Sequence, residues 1–131
     1  MQLSKVPVQM HVTMESFSAN PEHLEKLKVR LRELSRMTHE RKAEERCVFY
    51  DFVEKGNVFV CLEAYTDAEH LLLHVRNVTP FLGEHILPHA PIARVQVFGP
   101  KDQLDILKSD DKFLAFRPEF YPSIGEGFFL N

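Results

Sequence analysis

Glu63, Tyr65 and His74 bring a carboxylate, a phenol and an imidazole close together in the stretch Asn57 to His74, NVFVCLEAYTDAEHLLLH. These are groups with which proteins move protons near neutral pH. The hydrophobic period changes within that stretch. From Val58 to Tyr65 the side chains alternate, with Val58, Val60, Leu62 and Ala64 on one strand face and Phe59, Cys61, Glu63 and Tyr65 on the other. Asp67 is a good helix N-cap, and Ala68, Leu71, Leu72 and Val75 follow at helical spacing. His74 therefore rides on a helix that folds back over the strand. An acid and a phenol on that strand either face water or line a cavity.

The same residue types also raise a metal reading. The chain has seven histidines, and His70 and His74 have the i, i+4 spacing that puts two imidazoles on one helix face. A tight site needs a third ligand, and none is placed. His85 and His89 repeat the spacing, but Pro88 interrupts their helix. Cys47 and Cys61 fall well apart along the hairpin that Gly56 and Asn57 turn, so both read as reduced, buried thiols.

With 131 residues, 44% hydrophobic and 27% charged, the chain is expected to form one domain. A net charge of -3 offers no basic field for nucleic acid. No run of about 18 apolar residues could span a bilayer and no signal-peptide pattern opens the chain, so no membrane partner is expected and the cytoplasm is the default location.

Around the central stretch, Val6 to Met14 alternates as a strand, and Asn20-Pro21 caps a helix whose stripe is Leu24, Leu27, Leu31, Leu34 and Met37. The charged run His39 to Arg46 has no apolar stripe and reads as a solvated helix end and loop without function. Cys47 to Glu54 and Asn57 to Tyr65 form a hairpin in which Tyr50 faces Glu63. After the helix Asp67 to Arg76, Thr79-Pro80 signals a second short helix through Leu87, and Ile92 to Phe98 is the last strand. This order gives an α+β chain, the ferredoxin-like split βαβ unit, with both helices on one face of a four-stranded antiparallel sheet.

Such a sheet leaves its other face bare. If the apolar sides (Val8, Met10, Val12; Val60, Leu62, Ala64; Val95, Val97) point away from the helices, a second subunit should cover them, giving a homodimer. The mixed sides, among them His11, Tyr50, Cys61, Glu63, Tyr65 and Arg94, would then line a pocket under the helices. The opposite orientation, with the apolar sides under the helices and a wet dimer interface, stays open.

Glu63-x-Tyr65-x-Asp67, followed by His70-Leu71 and His74, resembles the E-x-[WY]-x-[SD]...H signature of antibiotic-biosynthesis-monooxygenase domains. The resemblance runs from about Val6 to Pro100. It implies a dimeric α/β barrel, and a family that includes cofactor-free quinol and polyketide oxygenases and haem-degrading members. Tyr65 stands where many members have tryptophan, His74 where quinol-oxygenase-like members carry histidine, and His85 near the haem-ligating position. Two departures are plain: the chain has no tryptophan, and Cys61 replaces an asparagine that helps activate oxygen in polyketide-oxidising members.

The expectation from that resemblance is a cofactor-independent monooxygenase of a small aromatic quinol or phenol, with haem as the alternative cofactor. His74 would be the base, Tyr65 and Arg94 donors to the anion, and Glu63 the orienter of an imidazole. His11, Tyr50, Cys61 and His85 would complete the substrate pocket, with His74, His85 and Tyr65 bordering one cavity. Glu63 could equally be a structural partner of Arg94, and the domain could bind a small hydrophobic ligand without turnover. Residues 1–100 form the resembling domain. Residues 101–131 add a helix from about Asp102 to Leu107 and an aromatic arm, with Phe113, Phe116, Phe120, Tyr121, Phe128 and Phe129 packed on the body or the partner.

Overall fold

The computed structural model describes residues 3–130; residues 1, 2 and 131, at the ends of the two expected segments, lie outside it. The chain runs β1 (Leu3–Ser4), β2 (Val8–Glu15), α1 (Pro21–Glu40), β3 (Cys47–Lys55), β4 (Val58–Tyr65), α2 (Ala68–Phe81), a π-helical stretch (Leu82–Ile86) and β5 (Ile92–Gly99). The tail then adds α3 (Lys101–Lys108), α4 (Asp111–Leu114), β6 (Glu119–Pro122) and β7 (Phe129–Leu130). β2 to β5 are antiparallel in the order β3-β4-β2-β5, which is the ferredoxin-like arrangement. The sheet has five strands rather than four, because β6 returns from the tail and pairs parallel to β5, while β1 and β7 form a separate two-stranded ribbon.

Local chemistry sets the two main helices. Asn20 accepts hydrogen bonds from the amides of Glu22 and His23, and Pro21 fills the first turn where no amide donor is needed. Asp67 caps α2 through the amide of His70 at 2.9 Å. Pro80 does not start a new helix: it sits inside α2, whose path continues into the π-helical stretch. Proline removes one hydrogen bond, and at the last turn of a helix already packed through Leu71, His74 and Val78 that loss does not end it. The hairpin turns at Gly56, whose φ of 60° is readily adopted by glycine, and Tyr50 pairs with Glu63 as expected.

Pairing decides which side chains meet the helices. Val8 lies opposite Tyr65, Met10 opposite Glu63 and Val12 opposite Cys61, while Val12 and Met10 also face Val95 and Val97. The apolar sides of β2 and β5 therefore share a face with the mixed side of β4, and all of them lie under the helices. The bare face expected to hold Val8, Met10, Val12, Val95 and Val97 instead carries Phe49, Val60 and Leu62 beside His11, Thr13 and Arg94. Both orientations expected of the sheet thus hold for part of it.

The core under the helices has two adjoining clusters. Leu27, Leu31 and Leu34 of α1 pack on Met14 and Phe59, with Val78, Ile86 and Ala90. Ala68 and Leu71 of α2 pack on Val8, Tyr65, Val95 and Val97, and the tail enters the same cluster through Leu104, Leu107 and Phe113. Each fully buried leucine or phenylalanine contributes about 1.5 to 3 kcal/mol, which is why α3 and α4 dock on the body. The tail's other rings do so unevenly: Phe116, Phe120 and Phe129 are half-buried, and Tyr121 and Phe128 remain 42% and 69% exposed.

Candidate active site

A single turn beyond α1 builds one wall of the site. Residues 41–46 continue the helical path and close it with two bonds, Cys47 N to Lys42 O at 2.9 Å and Arg46 N to Ala43 O at 3.4 Å. This is a Schellman closure, with Arg46 at φ 46° in the left-handed position where glycine is usual. The turn swings Glu45 inward until it is completely buried, although Glu44 and Arg46 on either side are exposed. The charged run is a solvated helix end, as its sequence suggests, except at this one carboxylate.

α2 meets that carboxylate with two side chains three residues apart, hence on one helix face. His74 Nδ1 donates to Glu45 Oε1 at 2.8 Å, and Asn77 Nδ2 donates to Oε2 at 2.7 Å. Burial alone would raise the carboxyl pKa of Glu45, but the bonds from His74 and Asn77 outweigh it and hold the group below its ordinary 4.5. Glu45 is thus an ionised, fully satisfied anion that fixes the imidazole's tautomer and plane.

The other ring nitrogen, His74 Nε2, faces Glu63 Oε1 at 3.4 Å, and that oxygen also accepts the Tyr65 hydroxyl at 2.7 Å. With Nδ1 committed to Glu45, Nε2 is the ring nitrogen left to exchange a proton. Proton transfer to or from a hydroxyl brought beside His74 is the chemistry this arrangement can do.

Two tyrosines frame the imidazole. The Tyr65 and Tyr50 rings lie 5.2 Å and 5.4 Å from it. Burial, reinforced by the Glu63 charge, pushes the Tyr65 phenol well above its ordinary range. Burial, then Cys61 and Glu63, do the same for Tyr50. Both remain neutral donors. Burial and the Glu63 charge also hold the Cys61 thiol protonated, and burial pushes Cys47 up to about 11, so neither is a ready nucleophile.

His74, Glu63, Tyr50 and Cys61 line a cavity of about 50 Å³ whose remaining wall is apolar, with Met10, Val12, Leu34, Phe52 and Val95 among its members and Phe113 and Phe116 reaching in from the tail. Tyr65 stands behind Glu63 rather than at the wall. Three residues expected in this pocket lie elsewhere. His11 and Arg94 point to the opposite face because strand alternation puts Met10, Val12 and Val95 under the helices: His11 packs on Phe98 at 4.9 Å, and Arg94 forks onto Glu119 of β6 at 2.6 and 2.9 Å. His85 leaves on the π-helical stretch, against Phe81 and 3.7 Å from Glu84, in a separate depression shared with His23 and His89. The expected common border of His74 and Tyr65 with His85 is therefore absent, and the residues around His85 do not fit a haem face: Lys26, Arg30 and Glu84 line that depression.

Glu45 and Asn77 are the site residues that sequence reasoning missed. Asn77 carried a signal, three residues beyond His74 on a helix. Glu45 carried none locally, since its partner is 29 positions away. Among the described residues no cluster of three or more metal-ligating side chains occurs, and no helix is long and apolar enough to cross a membrane.

No family model matches the chain, and no curated protein sequence does. Solved structures do. MupZ from Pseudomonas fluorescens is similar with a TM-score of 0.77 and 28% identity over 92% of both chains. A protein of unknown function from Bacteroides thetaiotaomicron, described as a possible oxidoreductase, has a TM-score of 0.59 and 23% identity over 73% of this chain and 99% of its own. A Deinococcus radiodurans structure named "putative antibiotic biosynthesis monooxygenase" has a TM-score of 0.50 and 19% identity over 69% of this chain and 86% of its own. The fold is like that of two structures named "putative antibiotic biosynthesis monooxygenase". The likeness to MupZ leaves out only 8% of this chain, about ten residues, and so takes in most of the 31 that follow Pro100.

Proposed function

We propose that the protein is a cofactor-independent monooxygenase acting on a small aromatic quinol or phenol, with His74 as its base. The observation that carries this reading is an imidazole held on one nitrogen by a buried, ionised Glu45 and presenting the other to Glu63 at the wall of an apolar cavity. The names of the structures in the same fold, monooxygenase and possible oxidoreductase, support it.

In this mechanism Nε2 of His74 takes the proton of a substrate hydroxyl, and the imidazolium so formed is stabilised by Glu45, which needs no movement to do so. Glu63, held by the Tyr65 hydroxyl, orients the substrate and shares its proton. Tyr65 is thus a positioning residue. Tyr50, neutral and facing the cavity, takes the role of anion donor first expected of Arg94. The apolar walls keep water from the anion. An anthrone, deprotonated as its enol, supplies all four electrons that dioxygen takes up: its ring CH2 becomes C=O with one oxygen atom, and its two hydrogens leave with the other as water. A homodimer formed through the open sheet face belongs to the same reading, because Phe49 is 53% exposed there beside Val53, Val60 and Leu62.

The test is oxygen uptake with anthrone or menadiol. The wild type should turn over. His74→Ala should abolish turnover, and Glu45→Gln should lower kcat by roughly a hundredfold, as expected when the partner that orients a base is lost, with little change in KM. Saturable ligand binding without oxygen uptake would identify a binding module instead.

A further inference from the structure

The cavity at His74, about 50 Å³, is smaller than any aromatic substrate; a cavity that admits benzene measures roughly 150 Å³. Its missing volume lies next door. Between α2 and residues 109–116 runs an open groove of about 700 Å³. The two spaces share Val75, Phe113 and Phe116, so the wall of one is the floor of the other. Val75 directly follows His74 in the chain. Phe113 is buried, and its amide is tied to the Asp110 cap at 2.9 Å. Phe116 is half-buried just past the end of α4, its ring 6.4 Å from that of Phe113 and edge-on to it. Of the two shared rings, Phe116 is the less buried.

Beyond Phe116 the groove is apolar along Leu72, Val75 and Pro80 and polar at its rim. The rim holds Arg76 and Lys112, neither ion-paired among the described residues, against Asp110 and Asp111, so its charges balance.

We propose that this groove is the outer half of the substrate site and that Phe116 is its gate. The substrate is elongated: its hydroxyl-bearing ring passes Phe116 to reach His74, an apolar chain lies along Leu72, Val75 and Pro80, and its far end is polar but uncharged. The assignment rests on His74 as the reacting end of the site and adds the substrate class to it. The outer groove, rather than the ring pocket, selects among phenols.

Calorimetric binding of 4-methylphenol, 4-propylphenol and 4-hexylphenol to the full-length protein tests this without turnover. Affinity should rise about fourfold per methylene, the worth of burying that group. Thr79→Trp fills the groove from an exposed position on α2 that does not border the inner cavity. It should abolish the gain from longer chains, so that the three ligands bind within about twofold of one another. Phe116→Trp should weaken all three ligands at least about tenfold by blocking the passage, while both variants keep the wild-type unfolding midpoint. A flat series in the wild type, an undiminished series in Thr79→Trp, or no binding at all overturns the assignment. If the series appears but the wild type consumes no oxygen, the oxygenase reading alone fails.

Discussion

The two faces of the sheet use the same residue types to opposite ends. Under the helices, His74, Glu45 and Glu63 are buried and hold one another at 2.8 and 3.4 Å. On the open face, His11, Arg94 and Glu119 are partly or largely exposed, and the Arg94–Glu119 fork works between two strands in water. A charge in the first setting costs several kcal/mol of desolvation unless its partners stay in place. In the second, solvent replaces any partner that leaves. The difference shows that burial of the partners, not the presence of histidine and acid, makes a candidate site.

The sharpest way to break this contrast is to put one charge on each face. Val95→Asp places an unpaired carboxylate in the helix-covered core and should cost about 4 kcal/mol or more in urea unfolding. Leu62→Lys, on the open face, should leave monomer stability within about 1 kcal/mol and abolish the proposed self-association in sedimentation. Equal unfolding losses from the two would erase the distinction.

Glu45→Ala comes next, at about 3 to 5 kcal/mol, because it leaves His74 buried without its counter-charge. The pH dependence follows from the same bond. The Glu45 pKa is lower folded than unfolded, so its stabilisation is complete above about pH 4.5 and is lost as pH falls through the lower folded value. Wild-type stability should therefore drop more steeply below pH 4.5 than that of Glu45→Gln, and parallel acid limbs would contradict it.

Smaller effects probe the edges of the site. Burial pushes Cys47 from 9.0 up to about 11, so its alkylation by iodoacetamide at pH 8.5 should run at least tenfold slower in the folded protein than in urea. Arg46→Gly relieves the left-handed backbone at the turn that delivers Glu45 and should stabilise by about 0.5 to 1 kcal/mol. Lys42→Ala and Glu44→Ala, exposed on the same turn, should change stability by less than about 0.5 kcal/mol.

What the sequence made legible was whatever local chemistry decides. The caps at Asn20 and Asp67, the turn at Gly56 and the Tyr50–Glu63 pairing all follow from neighbours a few positions apart. So does the proximity of Glu63, Tyr65 and His74. The side on which β2 and β5 lay their apolar residues was not legible, since a strand's alternation is the same whichever face is buried and only its register against β4 breaks the tie. Nor was Glu45, whose local pattern is that of a solvated charge. The placement of His11, Arg94 and His85 away from His74 follows from those same non-local choices.

The parallel pairing of β6 also governs how the sheet ends. Without it, β5 would offer a free row of amides and carbonyls from Gln96 to Gly99, a template on which the strand of another molecule could grow. The strand that takes its place is four residues long, begins just after Pro118 and closes on Pro122, residues with no amide hydrogen to donate. Proline here acts as a chain terminator for lateral polymerisation. A chain cut after Arg117, which keeps Phe113 and Phe116 in the core but loses β6, should show this as thioflavin-positive aggregation.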